Sequence, residues 1–300
     1  MLHAAADLLP LLHAGVSLGW TRFTVHPSTV IGLALLAALY TWRARRRTVR
    51  DSRLGWTKPA LFATGILTMF LALNGWLHDL SDAYLFSAHM VQHLLLAFAV
   101  APLLIMGTPG WMLRPVLQWP GVAAAARWLT RPVRAFAIFN IVVAVWHLPV
   151  MYNLALLHHP VHIVQHLMFI AAAIVMWWPV LSPIAELPRI AYPAQMLYLF
   201  LMSIPMSIIS VYIAYADSML FPAYAAAPRL WGISPMQDQL IGGLIMWIPG
   251  GLYFFTVISI IFFRWQQRGA DDTVAAAQVE SWEPVPAGGE QQATGRILPA

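Results

Sequence analysis

Seven apolar runs of membrane-spanning length follow one another along this 300-residue chain. They cover roughly 28–43, 59–77, 85–107, 133–151, 161–181, 192–215 and 239–263. A helix needs about 20 mostly apolar residues to cross a hydrocarbon core roughly 30 Å thick. Inside lipid, only helices and closed barrels satisfy every backbone N–H and C=O group. Runs of this length read as helices, so the expected fold is all-α, a polytopic membrane protein built as a seven-transmembrane-helix bundle. Only 10% of the residues are charged, against about a quarter in a soluble domain. Pro102, Pro205 and Pro249 fall inside runs, where neighbouring groups must satisfy the backbone they free.

The basic residues set the expected direction. Arg43, Arg45, Arg46, Arg47, Arg50, Arg53 and Lys58 follow the first run, Arg114, Arg127, Arg131 and Arg134 the third, Arg189 the fifth, and Arg264 and Arg268 the seventh. The alternate loops 78–84 and 152–160 have no Lys or Arg, and 216–238 has only Arg229. Positive charge stays on the cytoplasmic side, so the N-terminus is expected outside and the C-terminus in the cytoplasm. Three parts follow: residues 1–27 as a periplasmic, interfacial N-terminal segment, 28–264 as the seven-helix membrane domain, and 265–300 as a cytoplasmic disordered tail rich in Gly, Ala, Gln, Glu and Pro. The first stretch has no basic n-region, and Asp7 and Pro10 interrupt it, so it does not read as a signal peptide. The net charge of +5 is accounted for by these loops and does not point to nucleic acid.

All eleven histidines fall on the outer side of this topology. "HMVQHLL" (89–95) nearly recurs as "HIVQHLM" (162–168), each at the outer start of a run. His78 ends the second run and His147 the fourth, so two hairpins share one design. Residues i and i+4 lie on one helix face, and two imidazoles so placed can hold one metal ion. The expected metal set is His78, His89, His93, His147, His162 and His166. Intramembrane ionisable residues are costly and usually functional, which favours this reading over incidental placement. His3, His13, His26, His158 and His159 read instead as interfacial side chains. Gln92 and Gln165 stand where they can orient ligands by hydrogen bonding. Asp238, just before the last run, reads either as a helix cap or as such a supporting group. Asp82 reads as a solvated loop residue.

There are no cysteines, so thiolate ligands and disulfides are excluded. Imidazole suits copper, zinc, iron and nickel alike. Met90, Met151, Met202 and Met206 would favour Cu(I) if they faced the site, although core packing is the ordinary fate of methionine. Haem is the competing cofactor. Two histidines one turn apart cannot ligate opposite faces of one haem, but the third and fifth runs could face each other across one. No nucleophile–base pair or phosphate loop stands out, so an enzyme is not expected. Carboxylates are sparse in the runs, which argues against a proton-driven transporter.

"NGWLHDLSDAYLFSAHMVQHLLLAFAVAPLLIMGTP" (74–109) resembles the signature of the CtaG-type cytochrome c oxidase assembly factors of bacteria. "WHLPVMYNLAL" (146–156), "HIVQHLMFIAAAIVMWWPV" (162–180) and "DQLIGGLIMWIPGG" (238–251) are similar to it too, and the likeness runs from about Trp20 to Arg264. The resemblance implies a multi-pass protein of the bacterial cytoplasmic (inner) membrane that a haem–copper oxidase needs to mature, delivering copper on the outer side. The family's histidines in the third and fifth spans map onto His89, His93, His162 and His166, and those ending the second and fourth onto His78 and His147. Oxidase subunits and periplasmic copper chaperones are the implied partners, alongside the lipid bilayer. A haem-binding electron-transfer protein and a non-metal scaffold for oxidase subunits remain the alternatives.

Overall fold

The computed structural model describes residues 23–46 and 55–280, with side chains through residue 269. No strand occurs among the described residues. The helices are α1 (Pro27–Arg45), α2 (Thr57–Leu73), α3 (Gly75–Ala83), α4 (Phe86–Leu94) and, after a π-helical segment at Leu95–Val100, α5 (Ala101–Gly107). Then come α6 (Gly110–Leu117), α7 (Pro120–Leu129), α8 (Pro132–His147), α9 (Pro149–Leu157), α10 (His159–Leu181), α11 (Tyr192–Ala214), α12 (Pro222–Ala225) and α13 (Pro235–Glu280).

All seven apolar runs are helical, but their shapes differ. Four helical stretches are long and apolar enough to cross a membrane unaided: Phe86–Gly107, His159–Leu181, Tyr192–Ala214 and Pro235–Gly269. The number rises to six if two bent pairs each make one span: α2 with α3, bent by 42°, and α7 with α8, bent by 77°. α1 carries arginines in its last turn and is not among these. α13 continues to Glu280, past the expected end of the seventh run. Residues 281–300 of the expected tail, and 1–22 of the expected N-terminal segment, lie outside the described residues.

Each interruption has a local cause. Asn74 is extended (φ −143°, ψ 162°), and Gly75 has φ +66°, a left-handed conformation that glycine adopts without steric cost. A Cβ on Gly75 would also lie 2.2 Å from the ring of Phe23. The chain therefore turns at this point, and α3 leaves α2 at an angle. The π segment precedes Pro102, which has no N–H to donate to the carbonyl four or five residues earlier. Those carbonyls, of Phe98 and Ala97, accept Tyr253 Oη at 2.5 Å and Trp177 Nε1 at 2.8 Å. Side chains from α13 and α10 thus replace the lost backbone bond, as a proline inside a membrane helix requires.

The start of α4 is held from outside its own sequence. Asp238 accepts hydrogen bonds from the backbone N–H of Phe86 (2.7 Å) and of Ser87 (3.1 Å), and from Ser87 Oγ (2.5 Å). It is 1% exposed. The expectation of a cap holds in kind, but the helix it caps is α4, 152 residues earlier in the chain. The first N–H groups of a helix have no partner within it, and a carboxylate there is the strong acceptor.

α13 packs along α11 and against α4, α10 along α8 and α5, and α2 along α5. At one crossing a Cβ on Gly243 would come within 2.7 Å of Ala214, so only glycine permits that approach of α13 to α11. The main core joins Phe98, Phe139, Phe169, Trp177, Leu199 and Phe254. Large apolar side chains also cover the outside: Leu35, Val133, Leu197, Ile208, Leu252 and Phe263 are all exposed. That is the surface a lipid-solvated protein presents. Replacing Asp238 by Ala leaves two buried N–H groups without an acceptor. It should lower stability in mild detergent by about 2–3 kcal/mol, read from thermal unfolding, with Asp238→Asn falling between.

Candidate metal centre

Helical spacing puts His89 and His93 on one face of α4, and His162 and His166 on one face of α10. The two faces meet. The ring of His89 lies 5.4 Å from that of His162 and 5.9 Å from that of His166, and His93 lies 5.8 Å from His166. His147, the last residue of α8, joins at 5.8 Å from His93, and His78 of α3 at 6.0 Å from His162. All six expected histidines are buried, from 0 to 7% exposed. They make one continuous patch of imidazoles, not two separate sites.

Two groups of three within the patch bring their ligand atoms within 4.8 Å of one another: His89, His93 and His166, and Asp82, His89 and His162. His89 belongs to both. Asp82, which the sequence suggested was a loop carboxylate, is therefore part of the site. Its Oδ2 lies 3.3 Å from His78 Nε2 and 3.3 Å from His162 Nδ1. The signal was present in the sequence as His78-x-x-x-Asp82, the same i, i+4 spacing as the histidine pairs.

The hydrogen bonds define what each ring can do. His147 Nδ1 sits 2.7 Å from the Val143 carbonyl and must carry the proton, which leaves Nε2 with a lone pair. That Nε2 is buried without a partner, as are His93 Nδ1, His162 Nε2 and His166 Nε2. Buried polar atoms are normally paired, and several lone pairs in one place match what a metal ion requires. His78 differs from the others. Gln92 Nε2 lies 3.0 Å from its Nδ1 and donates to it, so Nε2–H points at Asp82. Both of its nitrogens are in use; like His147, it is in neither group of three. It orients the carboxylate.

Gln92 also donates to the Ala72 carbonyl at 2.7 Å, tying α4 to the end of α2. Gln165 on α10 is 1% exposed, and neither its amide nitrogen nor its oxygen has a partner. Tyr224 of α12 was not expected. Its hydroxyl donates to the Ser81 carbonyl at 2.5 Å and lies 3.3 Å from His89 Nδ1. Burial pushes that hydroxyl well above its usual range, so it remains neutral. Accepting the Nδ1–H of His89 frees His89 Nε2, which lies 2.8 Å from His93 Nε2. No charge or spacing pattern marks Tyr224 in the sequence.

The four methionines sit in apolar packing. Met202 and Met206 belong to the main core and Met151 packs against it, while Met90 sits among Phe86, Tyr152 and Phe221. The likeness between the two hairpins also ends at the histidine pairs. His78 lies after the break between α2 and α3, whereas His147 lies before the break between α8 and α9. His26, read as an interfacial side chain, sits with its ring 4.4 Å from His78. His3 and His13 lie outside the described residues.

No solved structure matches the chain. It is 22% identical over 282 residues to uncharacterized proteins of Mycobacterium bovis and Mycobacterium tuberculosis, an alignment covering 85% of this chain and 42% of each relative. The chain thus spans less than half the length of those relatives. The cytochrome c oxidase caa3 assembly factor family (Caa3_CtaG) matches residues 35–268, a stretch that contains every residue of the patch. The chain is a member of this cytochrome c oxidase assembly factor family.

Proposed function

We propose that the protein binds copper in the imidazole patch and delivers it to a haem–copper oxidase during assembly. The observation that carries this reading is the meeting of α4 and α10, which brings four imidazoles and one carboxylate into two overlapping groups of three around His89. Copper is the cargo and no turnover chemistry is involved. Imidazole with one carboxylate gives moderate affinity, and exchange between overlapping sites suits a group that must release its ion. In this reading the patch faces the periplasm, the N-terminus is outside, and α1 completes seven spans in the bacterial inner membrane. The arginine-rich loops support that direction. Oxidase subunits receive the ion, and periplasmic copper chaperones supply it.

The packing of the rings favours an ion over haem. Two imidazoles on one ion place their ring centres about 4.5–6.5 Å apart, from a metal–nitrogen bond of about 2.0 Å. The patch spans 4.2–6.3 Å between neighbouring rings. A porphyrin between α4 and α10 would need an open slab where His93, His162 and His166 stand packed. Protein purified in mild detergent should therefore carry copper by elemental analysis and no Soret band. Stoichiometric haem would sink the copper reading.

Single substitutions should rank by the two groups of three. His89→Ala removes a donor from both and should reduce retained copper more than His78→Ala, measured after desalting. Asp82→Asn should weaken copper binding by about 10- to 100-fold, by competition with a chromophoric chelator. If His89→Ala/His93→Ala protein matured the oxidase as well as the wild type, the scaffold alternative would be the better one.

A further inference from the structure

Two more histidines line up with the patch. His26 is the last residue before α1, and a set of contacts ties its segment to the break between α2 and α3. Its backbone N–H donates to Asn74 Oδ1 at 2.8 Å. The Gly75 N–H donates to the Thr24 carbonyl at 2.7 Å, and Thr24 Oγ1 donates to Asp79 Oδ2 at 2.8 Å. The ring of Phe23 stacks on Phe70 and occupies the space beside Gly75. His26 is thus held in place by bonds that bridge about fifty residues of sequence. Its Nε2 is buried without a partner.

His159 is the first residue of α10. It is exposed, and its ring lies 6.0 Å from that of His26, with 29° between the planes. Both belong to a cleft of about 460 Å³ between α1, α2 and α10. His78, His162 and His166 line the same cleft, with Ser28 and Thr29 of α1 and mostly apolar side chains forming the rest of its wall. His159, His162 and His166 recur at i, i+3 and i+7, so they form one stripe down α10. The stripe leads from an exposed residue at the mouth to both buried groups of three.

We infer that His26 and His159 form an outer receiving pair for the metal ion, which then steps along α10 to the Asp82–His89–His162 group and on to the His89–His93–His166 group. This rests on the copper-binding reading above. The 6.0 Å separation suits two imidazoles approaching one ion from nearly opposite sides, since linear ligation gives ring centres about 6.4 Å apart. A pair of ligands holds an ion weakly and gives it up quickly, which a receiving site needs. The first step exchanges His26 and His159 for His89, His162 and the Asp82 carboxylate, the second keeps His89 and exchanges Asp82 and His162 for His93 and His166, and neither changes the ion's oxidation state.

Full-length protein in mild detergent tests this, with copper(I) presented as a coloured chelator complex whose loss reports rate and stoichiometry. His26→Ala/His159→Ala protein should load at least tenfold more slowly than wild type. His89→Ala/His93→Ala protein should still take up one weakly held ion, and adding His26→Ala and His159→Ala should abolish it. Loading within twofold of wild type in the first variant, or no uptake in the second, overturns the receiving pair while leaving the copper reading intact. No uptake by the wild type overturns both. His26→Gln/His159→Gln replaces the alanine variant if that protein does not elute as a single species.

Discussion

A buried helix start needs an acceptor for its first N–H groups, and water cannot supply one inside this protein. Asp238 meets that need for α4, and the rest of the site depends on it. α4 carries His89, Gln92 and His93. Its rotation sets which way they point. By fastening α4 to α13, the carboxylate fixes the helix that contributes a donor to both groups of three. The same requirement recurs lower in the bundle, where Tyr253 and Trp177 take the carbonyls that Pro102 leaves free.

The patch itself follows a second physical rule. Neutral imidazole has one donor and one acceptor nitrogen, so the partner of one decides the use of the other. Val143 turns His147 into a lone-pair donor, and Tyr224 does so for His89. Gln92 has the opposite effect at His78, committing both its nitrogens and making it a support for Asp82. Six histidines of the same type are thereby divided into ligand candidates and a positioning residue. The whole patch lies within the residues that the oxidase assembly factor family matches.

Much of this was legible in the sequence. Apolar runs named the helices because their length is a property of the chain alone. The i, i+4 spacing placed His89 with His93 and His162 with His166, because one turn of helix is local geometry. Asp82 and Tyr224 were missed for a different reason. Asp82 carried a usable spacing to His78, but its partner His162 is 80 positions away. Tyr224 sits in a short helix with no periodic signal, and its contact with His89 spans 135 residues. The matched-hairpin design also failed, since local likeness between "WLHDL" and "WHLPV" cannot report on which side of a break each histidine lies.

By itself, then, the sequence determined an all-helical, lipid-solvated chain and the histidine pairs on their helix faces, since hydropathy and helical periodicity act within a few residues. Only the tertiary structure decided that the two faces meet, that Asp82 joins His89 and His162 in one group of three, that Asp238 caps α4, and that His26 lines the cleft. Each of these depends on packing between helices far apart in the chain, and no local pattern encodes the bends that bring them together.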